Sequence, residues 1–243
     1  MKKSYRILFE DQDIVVLEKR ASVLVVEDRF DLTKPNLRQM LTNRFGQIFV
    51  VHRLDRETSG VMVFAKNEIA HQRLSLAFQN HEISKEYLAI AKRPAEDEGT
   101  IDVGIAESSK KAHYKAEEKG KQALSTFQVI KSYGNISLLR VNILTGRTHQ
   151  IRVHLKYIGA PLLTDSKYGL YSEFYLSQIK KVRLSKFQVE RPLLSRSSLH
   201  AHKLSFIHPS SQEELQFESP LHKDMKAVIY QLEKSRSKKE GSN

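Results

Sequence analysis

Short apolar runs separated by polar turns alternate with amphipathic stretches along this chain of 243 residues. Runs rich in Val, Ile, Leu and Phe predict strands, because β-branched and aromatic side chains suit a half-buried pleated surface. The predicted strands cover residues 14–17, 23–26, 48–51, 61–65, 83–91, 124–130, 136–143 and 199–207. Strands and helices mix without strict alternation, which favours an α+β fold over a doubly wound sheet.

Apolar residues spaced three and four apart predict helices over residues 32–45, 68–80 and 148–158, and a final helix that follows Ser219. Thr33 and Ser219 are expected to cap the first and last of these, because each precedes a Pro that suits a first helical turn. The polar residues 92–121 contain Pro and several Gly. They are predicted to form loops with short strands and to mark a boundary between two lobes.

The chain carries 40 Lys and Arg against 28 Asp and Glu, which gives a net charge of +12 at pH 7. The excess is concentrated between Ile143 and Leu204, where there are 11 basic and 3 acidic residues. The aromatic residues of this stretch include Tyr157, Tyr168, Tyr171, Phe174 and Tyr175. Basic side chains bind phosphates and aromatic rings stack on exposed bases, so a nucleic acid is the predicted partner. An anionic membrane is the alternative.

Several classes of protein are excluded by composition. The chain has no Cys, which excludes disulfides, a thiolate zinc site and a Cys nucleophile. No apolar run approaches the roughly 18 residues of a membrane span, and the run after the basic N-terminus is too short for a signal peptide. A cytoplasmic protein without membrane contact is therefore expected.

A dense polar loop at residues 52–60 lies between two predicted strands. Asp55 lies there between Arg53 and Arg56, and neighbouring positive charge favours the ionised carboxylate. An ionised Asp on a loop is a candidate nucleophile or base. The alternative is a solvated, charged hairpin tip, and the loop alone does not decide between the two.

A second polar stretch, residues 145–154, lies where a predicted strand turns into a helix. The helix N-terminus can receive an anion, and Arg147 and Arg152 can add contacts to phosphate or carboxylate. The alternative is an ordinary helix start with solvated arginines. His149 and His154 are five residues apart, whereas metal ligands on one helical face prefer a spacing of four. No supporting carboxylate stands at a recognisable spacing, so no metal site is predicted.

Four segments together resemble the RluA family of pseudouridine synthases, in the short form without an S4-type domain. Residues 52–60, His-Arg-Leu-Asp-Arg-Glu-Thr-Ser-Gly, resemble the family signature, and residues 145–154 resemble its second signature. Lys85-Glu86-Tyr87 matches the Lys/Arg-x-Tyr element, and residues 199–209 match the late strand. The segments stand in the family order, which makes the resemblance specific.

The resemblance implies an isomerase that converts uridine in RNA to pseudouridine by breaking the N-glycosidic bond and rejoining the uracil through carbon 5. Asp55 matches the catalytic aspartate and is expected to act as the nucleophile, on the base or on the sugar. Tyr87 matches the tyrosine that stacks on the uracil. Arg152 matches the arginine that pairs with the catalytic carboxylate. The reaction is redox-neutral, so no metal or other cofactor is expected.

RNA contacts are expected from residues around these three: His52, Arg53, Arg56, Arg147 and His149. They would hold phosphates or fill the space left by a flipped base, since chemistry on a base in folded RNA requires flipping. The implied substrate is structured RNA, either tRNA or large-subunit ribosomal RNA. A monomer is expected.

The implied fold is the α+β pseudouridine synthase fold, with a mixed, mostly antiparallel sheet in two lobes, flanking helices and a central catalytic cleft. Residues 1–233 are expected to form the catalytic domain, and residues 234–243 a charged, disordered tail. The chain departs from the family in two places. Where the family usually has Lys-Pro-x-Gly, this chain has Glu18-Lys19-Arg20-Ala21-Ser22-Val23, without Pro or Gly, and Thr164 stands where Gly is usual.

Two alternatives remain open. One is an RNA-binding protein that uses the same fold without catalysis. The other is a metal-dependent nuclease built on Asp55, His149 and His154.

Overall fold

The computed structural model describes residues 4–28, 31–109, 113–183, 185 and 187–240. The chain forms two compact units. The first contains Met1–Tyr87 and His200–Pro220, and the second contains Leu88–Leu199 and Leu221–Asn243. The expected boundary within residues 92–121 was therefore wrong, because the first division falls inside a strand, between Tyr87 and Leu88.

The strands are β1 (Tyr5–Glu10), β2 (Ile14–Lys19), β3 (Phe49–Val50), β4 (Ser59–Ala65), β5 (Ser84–Lys92), β6 (Glu98–Asp102), β7 (Ile105–Glu107), β8 (Tyr114–Ala116), β9 (Leu124–Tyr133), β10 (Ile136–Ile143), β11 (Leu199–Ile207) and β12 (Glu214–Glu218). The helices are α1 (Leu37–Phe45), α2 (Glu68–Gln79), α3 (Gln150–Tyr157) and α4 (Lys223–Glu240). One turn of 3₁₀ helix covers Leu176–Gln178.

The first unit contains a mixed sheet in the order β1-β2-β4-β11, with β3 beside β4 and β12 beside β11. The β4–β11 pair is parallel, whereas β1–β2, β2–β4, β3–β4 and β11–β12 are antiparallel. Every residue of β4 is buried, as expected of an apolar strand that is covered on both faces. Helix α2 packs Ala70 and Leu74 against Val61, Val63 and Leu204 of this sheet.

The second unit contains a long hairpin of β9 and β10, with β6 on the outer side of β9. A separate pair, β7–β8, is also antiparallel. One core cluster contains Met225, Val228 and Leu232 of α4 together with Ile90 and Leu163. The apolar face of α4 is therefore packed inside this unit.

The run at residues 23–26, predicted to be a strand, forms only an isolated bridge between Leu24 and Asn36. Its carbonyls serve another purpose. Leu24 and Val25 accept hydrogen bonds from the backbone N–H groups of Leu37 and Arg38, which are otherwise unpaired at the start of a helix. The run therefore satisfies the N-terminus of α1 instead of pairing in the sheet.

Both predicted helix caps were wrong, because each helix begins later in the chain than expected. Helix α1 is capped by Asn36, whose side chain accepts from the N–H of Gln39, so the helix starts after the expected Thr33. Ser219 is held by β11, because its N–H donates to the backbone carbonyl of His202 and its own carbonyl accepts from Nδ1 of the His202 imidazole. Helix α4 begins only at Lys223.

The expected disordered tail also differs from the structure. Helix α4 continues from Lys223 to Glu240, past residue 234, where the tail was predicted to begin. Glu233 pairs with Lys131, and Arg236 donates to the carbonyl of Ser132. These contacts with β9 fix the helix beyond its last apolar residues. Residues 241–243 lie outside the described part of the chain.

Among the helices that the structure describes, none has both the length and the apolar character needed to cross a membrane.

Candidate active site

The loop that carries Asp55 is closed on itself between β3 and β4. The N–H of Thr58 donates to the carbonyl of Asp55 at 3.1 Å, which forms a turn around the acidic residue. Leu54 is buried, Asp55 is half-buried, and Arg53 and Arg56 are exposed. The backbone around Asp55 is thus anchored by an apolar neighbour, while the two flanking guanidinium groups reach solvent.

A fully buried lysine fixes this loop from beneath. The ammonium of Lys19 donates to the carbonyls of Arg20 (3.0 Å), Val23 (2.9 Å) and Arg56 (3.0 Å). The Arg56 carbonyl follows directly after Asp55, and it also accepts from the N–H of Ser22 at 2.8 Å. Lys19 therefore connects the turn after β2 to the backbone of the loop that carries Asp55. Sequence analysis missed this role, although the Lys of the expected Lys-Pro-x-Gly element pointed to the position.

The other end of the loop is locked to β11. The hydroxyl of Ser59 donates to Nδ1 of His200 at 2.9 Å, because Nε2 of His200 must carry the proton that it donates to the Ser219 carbonyl at 3.0 Å. Gly60 has a φ of 127° and lies against Ala201, so that a Cβ would overlap the Ala201 backbone. The first signature and the late strand are thus interlocked, which explains why both motifs occur in this chain.

Tyr87 lies on β5 and is 8% exposed. Its pKa is raised above the ordinary value, first by burial and second by the negative charge of Asp55. The phenol is therefore neutral at physiological pH, and it is electrostatically coupled to the carboxylate of Asp55. Of the sequence-predicted catalytic residues, Asp55 and Tyr87 thus lie in the first unit, where the charge of Asp55 acts on the pKa of Tyr87.

His52 is built into the scaffold of the loop. Its Nε2 accepts from the N–H of Val63 at 3.1 Å, and its ring stacks on Phe78 with centroids 4.7 Å apart. Burial, and then the charge of Lys85, lower the pKa of His52 to about 3. The imidazole is therefore a neutral acceptor for β4, and contact of this ring with RNA stays a prediction.

In the second unit, the turn before α3 is organised by Gln150, which is 3% exposed. Its side-chain oxygen accepts from the Thr145 hydroxyl at 2.8 Å and from the Arg147 N–H at 2.9 Å. Its side-chain nitrogen donates to the Leu124 carbonyl and the Ser125 hydroxyl, each at 3.0 Å. The Gln150 amide thus makes all four of its possible hydrogen bonds, and these hold the second signature in place. The sequence did not reveal this role.

His149 and Arg147 lie on this turn. His149 has a left-handed backbone (φ 58°), and its Nδ1 is hydrogen-bonded to the hydroxyl of Tyr168 at 2.9 Å. That hydroxyl also accepts from the N–H of Tyr114. Arg147 is exposed, and its Nε donates to the carbonyl of Gln122. The turn therefore presents a guanidinium to solvent beside a histidine of fixed orientation.

Arg152 lies on α3 and is paired with Asp165. Its Nε donates to Oδ2 at 2.6 Å and its Nη2 donates to Oδ1 at 2.9 Å, in a two-pronged contact that is almost fully buried. Burial alone would raise the pKa of Asp165, but the hydrogen bonds and charge of Arg152 lower it below the usual value. Sequence analysis missed Asp165 as a partner of Arg152. The pairing of Arg152 with Asp55 stays a prediction.

Thr164, in place of the usual Gly, is accommodated beside this pair. It is fully buried, and its hydroxyl donates to the carbonyl of Arg196 at 2.7 Å. Its N–H also donates to the hydroxyl oxygen of Ser198 at 3.2 Å. The substitution therefore adds a satisfied hydrogen bond and leaves Asp165 in its pairing geometry.

The hydrogen bonds of His154 argue against its role as a metal ligand in the alternative of a metal-dependent nuclease. His154 is fully buried, its Nε2–H donates to the Val103 carbonyl at 3.1 Å, and its Nδ1 accepts from the Ser125 hydroxyl at 2.9 Å. Both ring nitrogens are occupied, and burial lowers the pKa of this histidine. A nuclease site that needs His154 as a ligand therefore has no support.

Within the described residues, one group of side chains is close enough to hold a metal: Asp11, Asp13 and His208. Nδ1 of His208 accepts from two backbone N–H groups, and its Nε2–H donates to Asp11 at 2.9 Å. The other oxygen of Asp11 accepts from two further N–H groups. These bonds account for the cluster as a support of the β1–β2 turn.

The family model described as RNA pseudouridylate synthase matches residues 13–157 of this chain. The chain belongs to this family. A relative from Chlorobaculum parvum, called an uncharacterized RNA pseudouridine synthase, is 36% identical over 243 residues and covers 93% of this chain and 73% of that protein. The ribosomal large subunit pseudouridine synthase D of Vibrio cholerae is 34% identical over 230 residues, covering 90% and 68%.

A solved structure is similar along nearly its whole length. The human RNA Pseudouridylate Synthase Domain Containing 1 protein has a TM-score of 0.67 and 26% identity, over 94% of each chain. The α+β fold with a mixed sheet is thereby confirmed, and the chain is an RluA-type pseudouridine synthase, an isomerase that acts on uridine in RNA. The family match includes Asp55, Tyr87 and Arg152, while Asp165 and His200 lie beyond it.

Proposed function

We propose that this pseudouridine synthase isomerises a specific uridine in structured RNA, with Asp55 as the nucleophile. The coupling between the Asp55 carboxylate and the buried phenol of Tyr87 supports the proposal most directly. A carboxylate beside a neutral aromatic ring provides a nucleophile and a flat apolar surface for one base. Large-subunit ribosomal RNA is favoured over tRNA as the substrate class, because relatives from Zymomonas mobilis and Vibrio cholerae carry that substrate in their names.

The reaction is balanced within the substrate. The Asp55 carboxylate attacks carbon 6 of the uracil or carbon 1′ of the ribose, and the N1–C1′ bond breaks. The freed uracil turns, the C5–C1′ bond forms, and the proton from carbon 5 is lost as N1 gains one. Asp55 is released unchanged. No electrons leave the substrate. The protein therefore contributes the charged groups, the positioning of the base and the transfer of protons.

Tyr87 acts in this proposal as a neutral phenol. Its raised pKa makes the phenolate costly at neutral pH. The ring therefore stacks on the uracil, and its hydroxyl serves as a hydrogen-bonding group near carbon 5. Replacement by Phe keeps the stacking surface, so Tyr87→Phe is expected to retain RNA affinity while lowering the rate of the chemical step.

Arg152 supplies positive charge near the reacting carboxylate in this proposal. Asp165 fixes its guanidinium plane through two hydrogen bonds, so the orientation is set before RNA binds. The exposed Arg53, Arg56 and Arg147 are assigned to phosphates, as is His149. Their role is to hold the RNA while the target base is flipped out of its stack.

The deciding experiment maps pseudouridines in total RNA from cells with and without the gene, and in cells that express Asp55→Ala. The expected result is one or more sites lost in ribosomal RNA and not restored by the variant. Asp31→Asn, which removes an exposed carboxylate elsewhere in the first unit, is the matched control and should restore the sites. Sites lost only in tRNA would change the substrate class.

The same variant separates catalysis from binding alone. Purified Asp55→Ala should bind RNA as the parent does but form no pseudouridine. Equal conversion by the variant and the parent would exclude Asp55 as the nucleophile. A parent protein that binds RNA without converting any uridine would instead favour a non-catalytic RNA-binding protein.

A further inference from the structure

Helix α4 carries an exposed stripe of cations around one aromatic ring. Lys223, Lys226, Tyr230 and Lys234 stand at positions i, i+3, i+7 and i+11, so they share one face of the helix. All four are exposed, and Tyr230 keeps 58% of its surface accessible. The ammonium of Lys234 lies 6.0 Å from the centre of the Tyr230 ring. We call these four residues the α4 basic face.

Asp224 and Glu233 of α4 are each paired with a cation from outside the helix, which limits how far they offset this charge. Asp224 is bound by the guanidinium of Arg196 at 2.8 Å, and Glu233 is bound by Lys131 at 2.6 Å. Within the part of the chain that the structure describes, no salt bridge is formed by Lys223, Lys226 or Lys234. The face therefore keeps a positive potential toward solvent.

The neighbouring segment extends the same chemistry. Lys180 donates to the side-chain oxygen of Gln231 at 3.0 Å, which holds a further exposed ammonium against α4. Ile179 packs against the core cluster that contains Met225, Val228 and Leu232, so the segment is attached to the helix. Helix α4 and this segment thus carry four exposed lysines, of which Lys234 lies over the Tyr230 ring.

We propose that the α4 basic face is an accessory RNA-binding surface that grips phosphates of the substrate with its lysines and stacks Tyr230 on an unpaired base. Clustered cations with an exposed ring are the chemistry that binds single-stranded nucleic acid. The surface lies outside residues 13–157, which match the family model. The choice of RNA as occupant rests on the proposed function, and the face adds binding that the catalytic loop does not supply.

A membrane surface fits this helix less well. Amphipathic helices bind bilayers by burying their apolar side among the lipids. In α4 that side is already packed in the protein core through Met225, Val228 and Leu232. Only the polar, cationic side is exposed, which suits a hydrated phosphate backbone.

The test removes the charge without touching the fold. The full-length variant Lys223→Gln/Lys226→Gln/Lys234→Gln is compared with the parent for binding to a fluorescein-labelled RNA hairpin with a uridine-rich loop, over a series of KCl concentrations. We expect affinity to fall by roughly tenfold or more, and the slope of log affinity against log salt to shrink by about 2 to 3. The melting temperature should not change, because the three side chains are exposed.

The matched control removes the same number of charges elsewhere. Arg6→Gln/Lys34→Gln/Lys115→Gln lowers the net charge equally, but each of these residues already pairs with a carboxylate. Its affinity and salt slope should stay near those of the parent. If both triple variants bind the hairpin equally, the proposal is overturned, since net charge alone would explain any loss.

Tyr230 gives a second, uncharged test. Tyr230→Ala should weaken binding by about fivefold or more, whereas Tyr230→Phe should bind as the parent does, because stacking requires the ring and not the hydroxyl. Equal affinities for all three proteins would remove the stacking claim. If the lysine variant loses binding to vesicles that contain anionic phospholipid and keeps its RNA affinity, RNA is the wrong partner.

These outcomes are independent of catalysis. Loss of hairpin affinity in the lysine variant would support the surface even if the parent formed no pseudouridine, in which case the proposed function alone would fail. If the parent converts uridine and the variant binds RNA normally, the surface fails and the proposed function stands.

Discussion

The guanidinium of Arg152 and the carboxylate of Asp165 form a buried, two-pronged ion pair, with N–O distances of 2.6 and 2.9 Å. The side chains expose 6% and 0% of their surface, respectively. Buried arginines are costly unless a well-oriented anion and hydrogen bonds compensate for the lost hydration. Asp165 provides both, so it sets where the Arg152 charge lies.

Replacing Asp165 by Asn should therefore leave a buried guanidinium with a neutral partner. We expect the free energy of unfolding to fall by about 3 kcal/mol, as is usual when one partner of a buried pair is removed. Urea unfolding of the parent and the variant checks this. The double variant with Arg152→Met should recover part of the loss, because no buried cation then remains. A loss below about 0.5 kcal/mol, within the range of ordinary surface changes, would contradict the analysis.

The half-buried, neutral imidazole of His52 predicts a loss of stability on mild acidification. Its pKa is lowered from 6.5 to about 3 in the folded protein, so the unfolded chain binds the proton first as the pH falls. Its contribution is fully present above pH 6.5 and is lost progressively between that pH and about 3. Lowering the pH from 7.5 to 5.5 should cost about 1 kcal/mol through this residue.

The variant His52→Gln isolates that effect, since the amide oxygen can still accept from the Val63 N–H but does not titrate. Unfolding free energies at pH 7.5 and 5.5 should differ by about 1 kcal/mol more for the parent than for the variant. His154 also has a lowered pKa and remains in both proteins, so its contribution cancels in the comparison. Identical pH dependences would show that folding does not lower the pKa of His52.

The elements that were predictable from sequence are those set by local patterns. The apolar runs of β2, β4 and β11 and the periodicity of α2 were correctly identified, because burial of one face or both determines those patterns. The two polar signatures drew attention to Asp55 and Arg152. Family resemblance then added Tyr87, which on composition alone would be an ordinary strand tyrosine.

The features that were missed depend on contacts between residues distant in sequence. Lys19 belongs to a charged segment that would ordinarily be exposed, yet three carbonyls enclose its ammonium. Asp165 has no local signal that distinguishes it from a loop acid. The start of α1 depends on carbonyls of Leu24 and Val25 that lie before it. Such partners cannot be read from spacing, because no periodic pattern specifies them.

Lys19→Met tests the support beneath the catalytic loop. The thioether fills much of the same volume but cannot donate, so the carbonyls of Arg20, Val23 and Arg56 lose the ammonium donor, and only that of Arg56 keeps a described second donor, the Ser22 N–H. We expect a loss of about 2 to 4 kcal/mol in unfolding free energy, the range for unsatisfied buried polar groups and buried charges. Urea unfolding measures it, and Lys34→Met at an exposed position should cost less than about 0.5 kcal/mol.

A positioning role for Lys19 predicts more than lost stability. Because the Arg56 carbonyl follows Asp55 directly, loosening it should lower kcat at a temperature where the variant is fully folded, with RNA affinity retained. If the folded variant had the parental kcat, the lysine would serve stability alone.

Ser22 stands at the Gly position of the usual Lys-Pro-x-Gly element and adopts a left-handed φ of 66°. A residue with a Cβ pays about 1 to 2 kcal/mol in that region, whereas Gly does not. Gly in turn loses about 0.5 to 1 kcal/mol more on folding, through its greater freedom in the unfolded chain. The two effects nearly offset each other, and the balance favours Gly.

Ser22→Gly should therefore raise the free energy of unfolding by about 0.5 kcal/mol, provided that the Ser22 N–H keeps its bond to Arg56. His81→Gly, at an exposed position of the same unit with a φ of 62°, is the matched control and should show a gain of similar size. Destabilisation by Ser22→Gly alone would mean that the serine side chain makes a contribution beyond its backbone conformation.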